Sequence, residues 1–384
     1  MSKITGYEKN DSQYNFDNPE DWIKVQYRDG IKYLPVQLDL KKLYLELTTR
    51  CNFDCITCIR NAWFRTPDNM SNDILNKILA ELPELAKNGL KTVHLGGFGE
   101  PMVHPRFFEV ATKVKELGLE LEFITNGYYL TPERVDQLIG LQADKIIVSM
   151  DAPREKEYQQ IRKNSDFNLL LKNLEHIYHQ KVNYRINKPH LWFEFVAMQS
   201  NYHLLPNLVE LAGKLQVDSV IVTNLLPYTE DMIDEVLYDA DEDNLAVGSG
   251  AGFIYFRSQL PEMKLRTHRY CNFVESKSLV INYLGKVSPC YPGMHNHTAY
   301  IYGRKKFNYA YHVGDLSQQS IAEIWKQREF IKFRSQVMEG RFPSCTDCKY
   351  LEGCSMTDDN QLDCWGNTPT CADCLWYRQI ILCP

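Results

Sequence analysis

The sequence predicts an α/β chain, a parallel sheet with helices packed outside it, either doubly wound or a partial barrel, followed by a smaller cysteine-rich segment. Three observations predict it. Apolar strand-like segments alternate with amphipathic helical stretches through six strand–helix steps between residues 43 and 223. Chemistry-bearing loops follow these strands directly: a cysteine loop, a glycine loop, Asn126-Gly127 and Ser149-Met150-Asp151. The twelve cysteines split into two groups, Cys51, Cys55 and Cys58 in front and nine after residue 270, with none from 59 to 270.

The elements follow in order. Leu43 to Thr48 alternates apolar and polar and reads as a strand entering the cysteine loop. Ser71 is placed to cap a helix whose Ile74, Leu75, Ile78, Leu79, Leu82 and Leu85 share one face. Thr92 to Leu95 is a strand ended by Gly96-Gly97-Phe98-Gly99; Phe107 to Leu117 is helical; Leu119 to Thr125 is a strand stopped by Asn126-Gly127. Pro132 suits a first helical position, and Ile146 to Ser149 is the fourth strand. Trp192 to Ala197 and Val220 to Thr223 are the fifth and sixth, with a Leu204–Leu215 helix between them. In both candidate architectures ligands gather at the carboxyl ends of the strands, so the four loops are expected on one rim. His94 and Glu194 are polar residues within strands; strand residues alternate faces, and a structural role is expected for both.

The chain carries 43 basic and 49 acidic residues, a net charge of −6, which removes the electrostatic reason to expect nucleic acid or an anionic membrane as partner. No apolar run reaches the roughly 18 residues of a membrane-spanning helix. The opening Met1 to Lys9 has no apolar core, so a cytoplasmic address is expected, where clustered cysteines point to metal or redox sites before disulfides. Residues 225–268 read as a connector, acidic around Asp231 to Asp243 and glycine-rich from Gly248 to Gly252. The expected organisation is an extension at 1–39, the sheet domain at 40–230, a connector at 231–268 and a cysteine-rich domain at 269–384.

Cys51-x3-Cys55-x2-Cys58 lets three thiolates converge on one cluster. Three ligands for the four irons of a cubane [4Fe–4S] cluster leave one iron open to bind a ligand. Zinc with three thiolates and a distant fourth ligand is the alternative on spacing alone. The segment Cys51-Asn52-Phe53-Asp54-Cys55-Ile56-Thr57-Cys58 resembles the signature of the radical SAM enzymes. The resemblance implies a partial (β/α)6, TIM-like barrel and a [4Fe–4S] cluster on Cys51, Cys55 and Cys58 that binds S-adenosylmethionine. It further implies reductive cleavage to a 5′-deoxyadenosyl radical, hydrogen abstraction from a substrate, and a ferredoxin- or flavodoxin-type electron donor. Thr57 stands where most members carry an aromatic residue; Phe53 and Trp63 are the candidates to replace it. Gly96-Gly97-Phe98-Gly99-Glu100-Pro101 resembles the family's glycine loop against the methionine moiety, where missing Cβ atoms permit close approach. Ser149 and Asp151 resemble the strand-end element near the ribose, Arg162 resembles an arginine that pairs with the cofactor carboxylate, and Asn126 is a weaker cofactor-binding candidate.

At the rear, Cys271, Gly285 and Cys290, followed by Cys345-x2-Cys348-x5-Cys354, resemble the SPASM extension, a small α+β domain holding one or two auxiliary iron–sulfur clusters. Where that pattern places a cysteine four residues past Cys354, this chain has Asp358; Cys364 lies six residues further on. The expected outer set is Cys345, Cys348, Cys354 and Cys374. The expected inner set is Cys271, Cys290 and Cys364, with Cys371 or Cys383 as the fourth. The ending, from Cys364-Trp365-Gly366-Asn367 to Cys383-Pro384, together with Cys58-Ile59-Arg60-Asn61-Ala62-Trp63, resembles the cofactor-modifying proteins of tungsten-containing aldehyde ferredoxin oxidoreductases. The implied substrate is a pterin cofactor or its host protein; modification of a ribosomally made peptide is the alternative. The roughly 40 residues ahead of the first strand are expected to be too few for a fused leader-binding domain.

Overall fold

The structure, a computed structural model, describes residues 19–63, 65–239, 257–259 and 269–382; the glycine-rich stretch of the connector and Cys383 lie outside them. Six strands, β1 (Lys42–Leu45), β2 (Thr92–Leu95), β3 (Glu120–Thr125), β4 (Lys145–Ser149), β5 (His190–Ala197) and β6 (Ser219–Asn224), pair parallel in that spatial order. A doubly wound sheet reverses its order at a switch point. Here each strand lies beside its successor, the progression of a barrel wall, which decides between the two architectures left open above.

The sheet continues past both ends of that series. The short strand β7 (Arg257–Gln259) joins β6 in parallel. On the other edge β8 (Ser278–Ile281) pairs parallel with β1, and β9 (Lys286–Ser288) and β10 (Gly314–Asp315) follow antiparallel. One sheet therefore runs across the boundary expected at residue 269. The main apolar core is equally continuous, taking in Leu43, Val93 and Phe123 from the barrel and Trp325, Phe330 and Phe342 from the rear.

Local sequence accounts for the helices. The Ser71 hydroxyl accepts the Ile74 N–H at the start of α1 (Asn72–Lys87), whose buried stripe is Leu75, Ile78, Leu82 and Leu85. Ile74 and Leu79 sit half-buried at its margins. Helices α2 (Phe107–Glu116) and α3 (Pro132–Gly140) follow β2 and β3, with Pro132 at the first position of α3. Between β4 and β5 the sequence reading passed over α4 (Glu155–Ile161) and α5 (Phe167–Tyr184), the latter capped by the Asp166 carboxylate on the Leu169 N–H. Helix α6 (Leu205–Lys214) joins β5 to β6. The N-terminal hairpin Trp22–Tyr27/Gly30–Pro35, also unread in the sequence, docks on the rear helix Arg328–Met338 through a Tyr27 hydroxyl to Ser335 Oγ bond of 3.1 Å. No helix among the described residues is long and apolar enough to cross a membrane.

Candidate functional site

Parallel strands deliver their carboxyl ends to one rim, and that rim carries the expected residues. The loop after β1 holds Cys51, Cys55 and Cys58; β2 leads to Gly97, Gly99 and Glu100; β3 to Asn126; β4 ends on Ser149. All of these, with Arg162, line a single cavity of about 280 Å³. The cysteine loop is held there by backbone pairing. Asp54–Cys55 forms a two-residue antiparallel bridge with Arg162–Lys163, and the Ile56 N–H donates to the Ile161 carbonyl at 3.0 Å.

Each thiol has a nitrogen donor. Asn126 Nδ2 donates to Cys51 Sγ at 3.7 Å, Arg162 Nη1 to Cys55 Sγ at 3.8 Å, and Arg60, through N and Nε, to Cys58 Sγ at 3.5 Å. Burial pushes the Cys55 thiol up to about 12, against the pull of the Arg162 guanidinium. Donors of this kind favour the thiolate, the form a metal cluster requires. Three soft sulfurs facing one cavity, each with a donor, fit three ligands to one cluster with a side left open.

The glycine loop is built on close approach. A Cβ on Gly99 would lie 2.3 Å from the Thr48 carbonyl oxygen, and one on Gly97 would lie 2.6 Å from Glu46 Cγ. Glu100 is buried and accepts three bonds: from Thr125 Oγ1 and the Asn126 N–H, both at 2.8 Å, and from the Met102 N–H at 3.2 Å. Burial nevertheless pushes its carboxyl up to about 7.

Three predicted residues stand behind the cavity wall. Gly96 packs against His94 and Ile124, and Pro101 is buried at the start of a 3-10 turn. Asp151 is fully buried, its oxygens taken by the Val196 N–H at 2.9 Å and by Arg162 Nη2 at 2.8 Å. Asp151, expected near the ribose, is not among the residues lining the cavity and pairs with Arg162, which is. Of the two candidates to replace the aromatic at Thr57, Phe53 lines the cavity and Trp63 does not; Trp63 stacks on His295 instead.

Sequence reasoning missed a carboxylate and a lid. Glu194 lines the cavity, and burial pushes it up to about 7 although nearby Arg162 opposes the shift. Its register in β5 beside Ser149 in β4 places it there, a pairing that one strand read alone cannot give. His94, by contrast, is fully buried beside Glu122, as expected of a structural residue. The opposite wall is apolar and comes from after β6: Tyr228, Tyr291, Trp376, Ile381 and Leu382. The tail lies across the barrel mouth because Asn224 Nδ2 donates to the Ile380 carbonyl and the Leu382 N–H to Thr223 Oγ1.

The rear thiols form two groups, differently divided from the expectation. Cys371 is pushed well above its usual range by burial and then by Cys374, Cys290 and Cys271. Cys345 is pushed up to about 12 by burial, with Asp373, Cys364 and Cys354 adding to it, and turns link it through Cys348 and Leu351 to Cys354. Cys374, Cys290 and Cys271 thus lie near Cys371, while Cys364 and Cys354 lie near Cys345. The physical reason is the Cys371–Cys374 turn, closed by a Cys374 N–H to Cys371 carbonyl bond of 3.3 Å, which keeps these two together. Thiols gathered in this way suit iron–sulfur ligation, which takes soft sulfur donors. Among the described residues no three His, Cys, Asp or Glu side chains are grouped as a site for a single metal ion.

Comparison with known proteins agrees with this architecture. Residues 45–187 match the model of the Radical SAM superfamily and residues 271–349 that of the Iron-sulfur cluster-binding domain. The chain belongs to the radical SAM superfamily, with a SPASM domain behind the barrel, and is an enzyme; its domains imply iron–sulfur clusters and S-adenosylmethionine. More narrowly, it is 34% identical to the tungsten-containing aldehyde ferredoxin oxidoreductase cofactor-modifying protein of Pyrococcus furiosus, over 90% of this chain and 97% of that one. Mycofactocin maturase MftC of Mycobacterium tuberculosis is 28% identical over 34% of this chain and 33% of its own. In fold the chain is similar to Streptococcus suis SuiB bound to S-adenosylmethionine, with a TM-score of 0.61 at 14% identity, covering 83% of this chain and 73% of that one.

Proposed function

We propose that the protein is a maturase acting on the pterin cofactor of a tungsten enzyme, or on the host protein, with the cavity at the barrel rim as its active site. The observation that carries the chemistry is the convergence of Cys51, Cys55, Cys58, Gly97, Gly99, Glu100, Asn126, Ser149 and Arg162 on one cavity. The near full-length likeness to the Pyrococcus furiosus protein carries the substrate. When bound, the [4Fe–4S] cluster and S-adenosylmethionine supply a 5′-deoxyadenosyl radical that takes a hydrogen atom from the substrate; the chain's own residues do the rest. Cys51, Cys55 and Cys58 hold the cluster while Asn126, Arg162 and Arg60 compensate their charge. Gly97 and Gly99 would let the backbone approach the methionine moiety of the cofactor, Ser149 would serve its ribose, and Phe53 would supply the aromatic for its adenine. Tyr228, Tyr291, Trp376, Ile381 and Leu382 exclude water. Glu194, which lines the same cavity, is placed to receive a proton from the substrate. The two rear thiol sets hold auxiliary clusters, and a ferredoxin- or flavodoxin-type protein is the electron donor.

The likeness to MftC favours a second reading, in which the same site modifies a peptide. Anaerobic reconstitution with iron and sulfide tests both. Reductive conversion of S-adenosylmethionine to 5′-deoxyadenosine supports the chemistry, and bound zinc without cleavage overturns it. Turnover stimulated by a tungsten-enzyme apoprotein with its pterin supports the first substrate; stimulation by a short precursor peptide alone supports the second.

A further inference from the structure

Glu46 directly follows the first barrel strand, and its carboxylate is fully buried. Its contacts reach two places that are far apart in sequence. Oε1 accepts the Phe98 N–H of the glycine loop at 3.1 Å. Oε2 accepts the Tyr283 N–H at 3.3 Å and meets His295 Nε2 at 2.7 Å, both from the rear domain. A Cβ on Gly97 would lie 2.6 Å from Glu46 Cγ, so the loop is pressed directly on this side chain. His295, itself buried, then reaches the cysteine loop. Its ring centroid is 4.4 Å from that of Trp63, five residues beyond Cys58, and 5.9 Å from that of Phe98.

A hydrogen bond to a carboxylate is strong where water is excluded, and an unpaired buried carboxylate is costly. The Phe98 backbone therefore takes its position from a side chain whose own position depends on the rear domain. Phe98 lines the front cavity. We propose that His295 and Glu46 are positioning residues through which the rear domain sets the glycine loop and with it the affinity for S-adenosylmethionine. The inference rests on the front site's being the S-adenosylmethionine site. It gives the rear domain a second role besides holding clusters: it completes the cofactor rim.

The test uses the reconstituted full chain and S-adenosylmethionine itself, with binding read by equilibrium dialysis and loop mobility by amide hydrogen exchange. His295→Phe keeps the ring contact with Trp63 but removes the donor to Glu46. It is expected to weaken binding about tenfold, to speed exchange at residues 97–99, and to leave the iron content at the wild-type value. His295→Gln restores a donor and is expected to recover most of the affinity, which a purely space-filling role would not produce. If His295→Phe does not fold, Glu46→Gln, which keeps an acceptor for Phe98 but loses the charge, is expected to weaken binding about threefold. Wild-type affinity in whichever of these variants folds overturns the proposal. Failure of the wild-type chain to bind S-adenosylmethionine instead overturns the reading of the front site, so the two failures are distinguishable.

Discussion

The front and rear cysteines differ in what surrounds the sulfur. In front, Cys51, Cys55 and Cys58 face an open cavity, and their donors include two guanidiniums, Arg60 and Arg162. At the rear, Cys290, Cys371 and Cys374 line a second cavity together with Pro292, Leu375 and Trp376, with the buried Lys306–Asp373 ion pair beside them. Cationic donors compensate charge while leaving one side of a site free for a ligand; four thiols on one cluster would leave no such side. Both regions present Cys-x2-Cys spacings, so spacing alone does not distinguish a reactive site from a structural one. The donors and the cavity do.

The sharpest way to break this comparison is to remove one thiol from each region. Cys55→Ala is expected to abolish 5′-deoxyadenosine formation while the rear clusters keep their iron. Cys271→Ala is expected to lose rear iron yet keep measurable S-adenosylmethionine cleavage. Iron analysis and product chromatography on the same anaerobic samples check both. Equal loss of cleavage in the two variants would erase the distinction.

The division of the rear thiols is tested by pairing substitutions. Cys374→Ala and Cys271→Ala are expected to remove the same cluster, so the double variant loses no more iron than either single one. Cys374→Ala with Cys364→Ala is expected to lose the sum of two separate losses, as for independent sites. Mössbauer and iron quantitation distinguish the outcomes. Additivity between Cys374 and Cys271 would restore the division expected from sequence.

Next in size is the cation beside the rear thiols. Lys306 and Asp373 are each about 3% exposed. Breaking a buried pair from one side leaves an uncompensated charge, at a cost of about 3–5 kcal/mol. Lys306→Met is expected to lose that much in anaerobic urea unfolding, and Lys306→Met with Asp373→Leu to recover most of it. At the front, Arg60→Met removes a half-exposed cation and is expected to cost far less stability, with its effect falling on the cluster instead.

Legibility in the sequence followed the same division. The barrel strands were readable because β4 and β6 are buried on both faces and carry unbroken β-branched runs. The rim residues were readable because strand ends carry them directly. Helix α5 was not, since its buried stripe of Phe167, Leu170, Asn173, Leu174 and Ile177 includes a buried asparagine that donates to the Gly127 carbonyl, a partner invisible in the local pattern. Asp151 looked like a cofactor contact because it follows a strand; only its pairing with Arg162, eleven residues on, puts it behind the wall. Glu194, the lid and the exchange of Cys364 with Cys374 all depend on contacts between distant segments. Pairing of β8 with β1 was likewise unreadable, because the two strands are more than 230 residues apart and neither sequence names its neighbour.

Glu100 gives an effect whose sign is informative. Burial holds its carboxyl at about 7 in the folded protein, against an ordinary value of 4.5. A raised folded value means that the folded state holds the proton more tightly than the unfolded chain does. Below about pH 4.5 both states are protonated, and the contribution to stability is fully present. Between about 4.5 and 7 the unfolded chain releases its proton first, so stability falls as pH rises, by about 3 kcal/mol across the window. Glu194, which burial also pushes up to about 7, acts in the same direction. Urea unfolding at pH 5, 6, 7 and 8 is therefore expected to show a declining stability that Glu100→Gln flattens. The three donors to Glu100 favour the charged form, so an unchanged slope in Glu100→Gln would mean that they outweigh burial and that the carboxylate is ionised throughout. In that case the front rim would carry a fixed negative charge beside its three thiols, with Arg134 as the cation that acts on it.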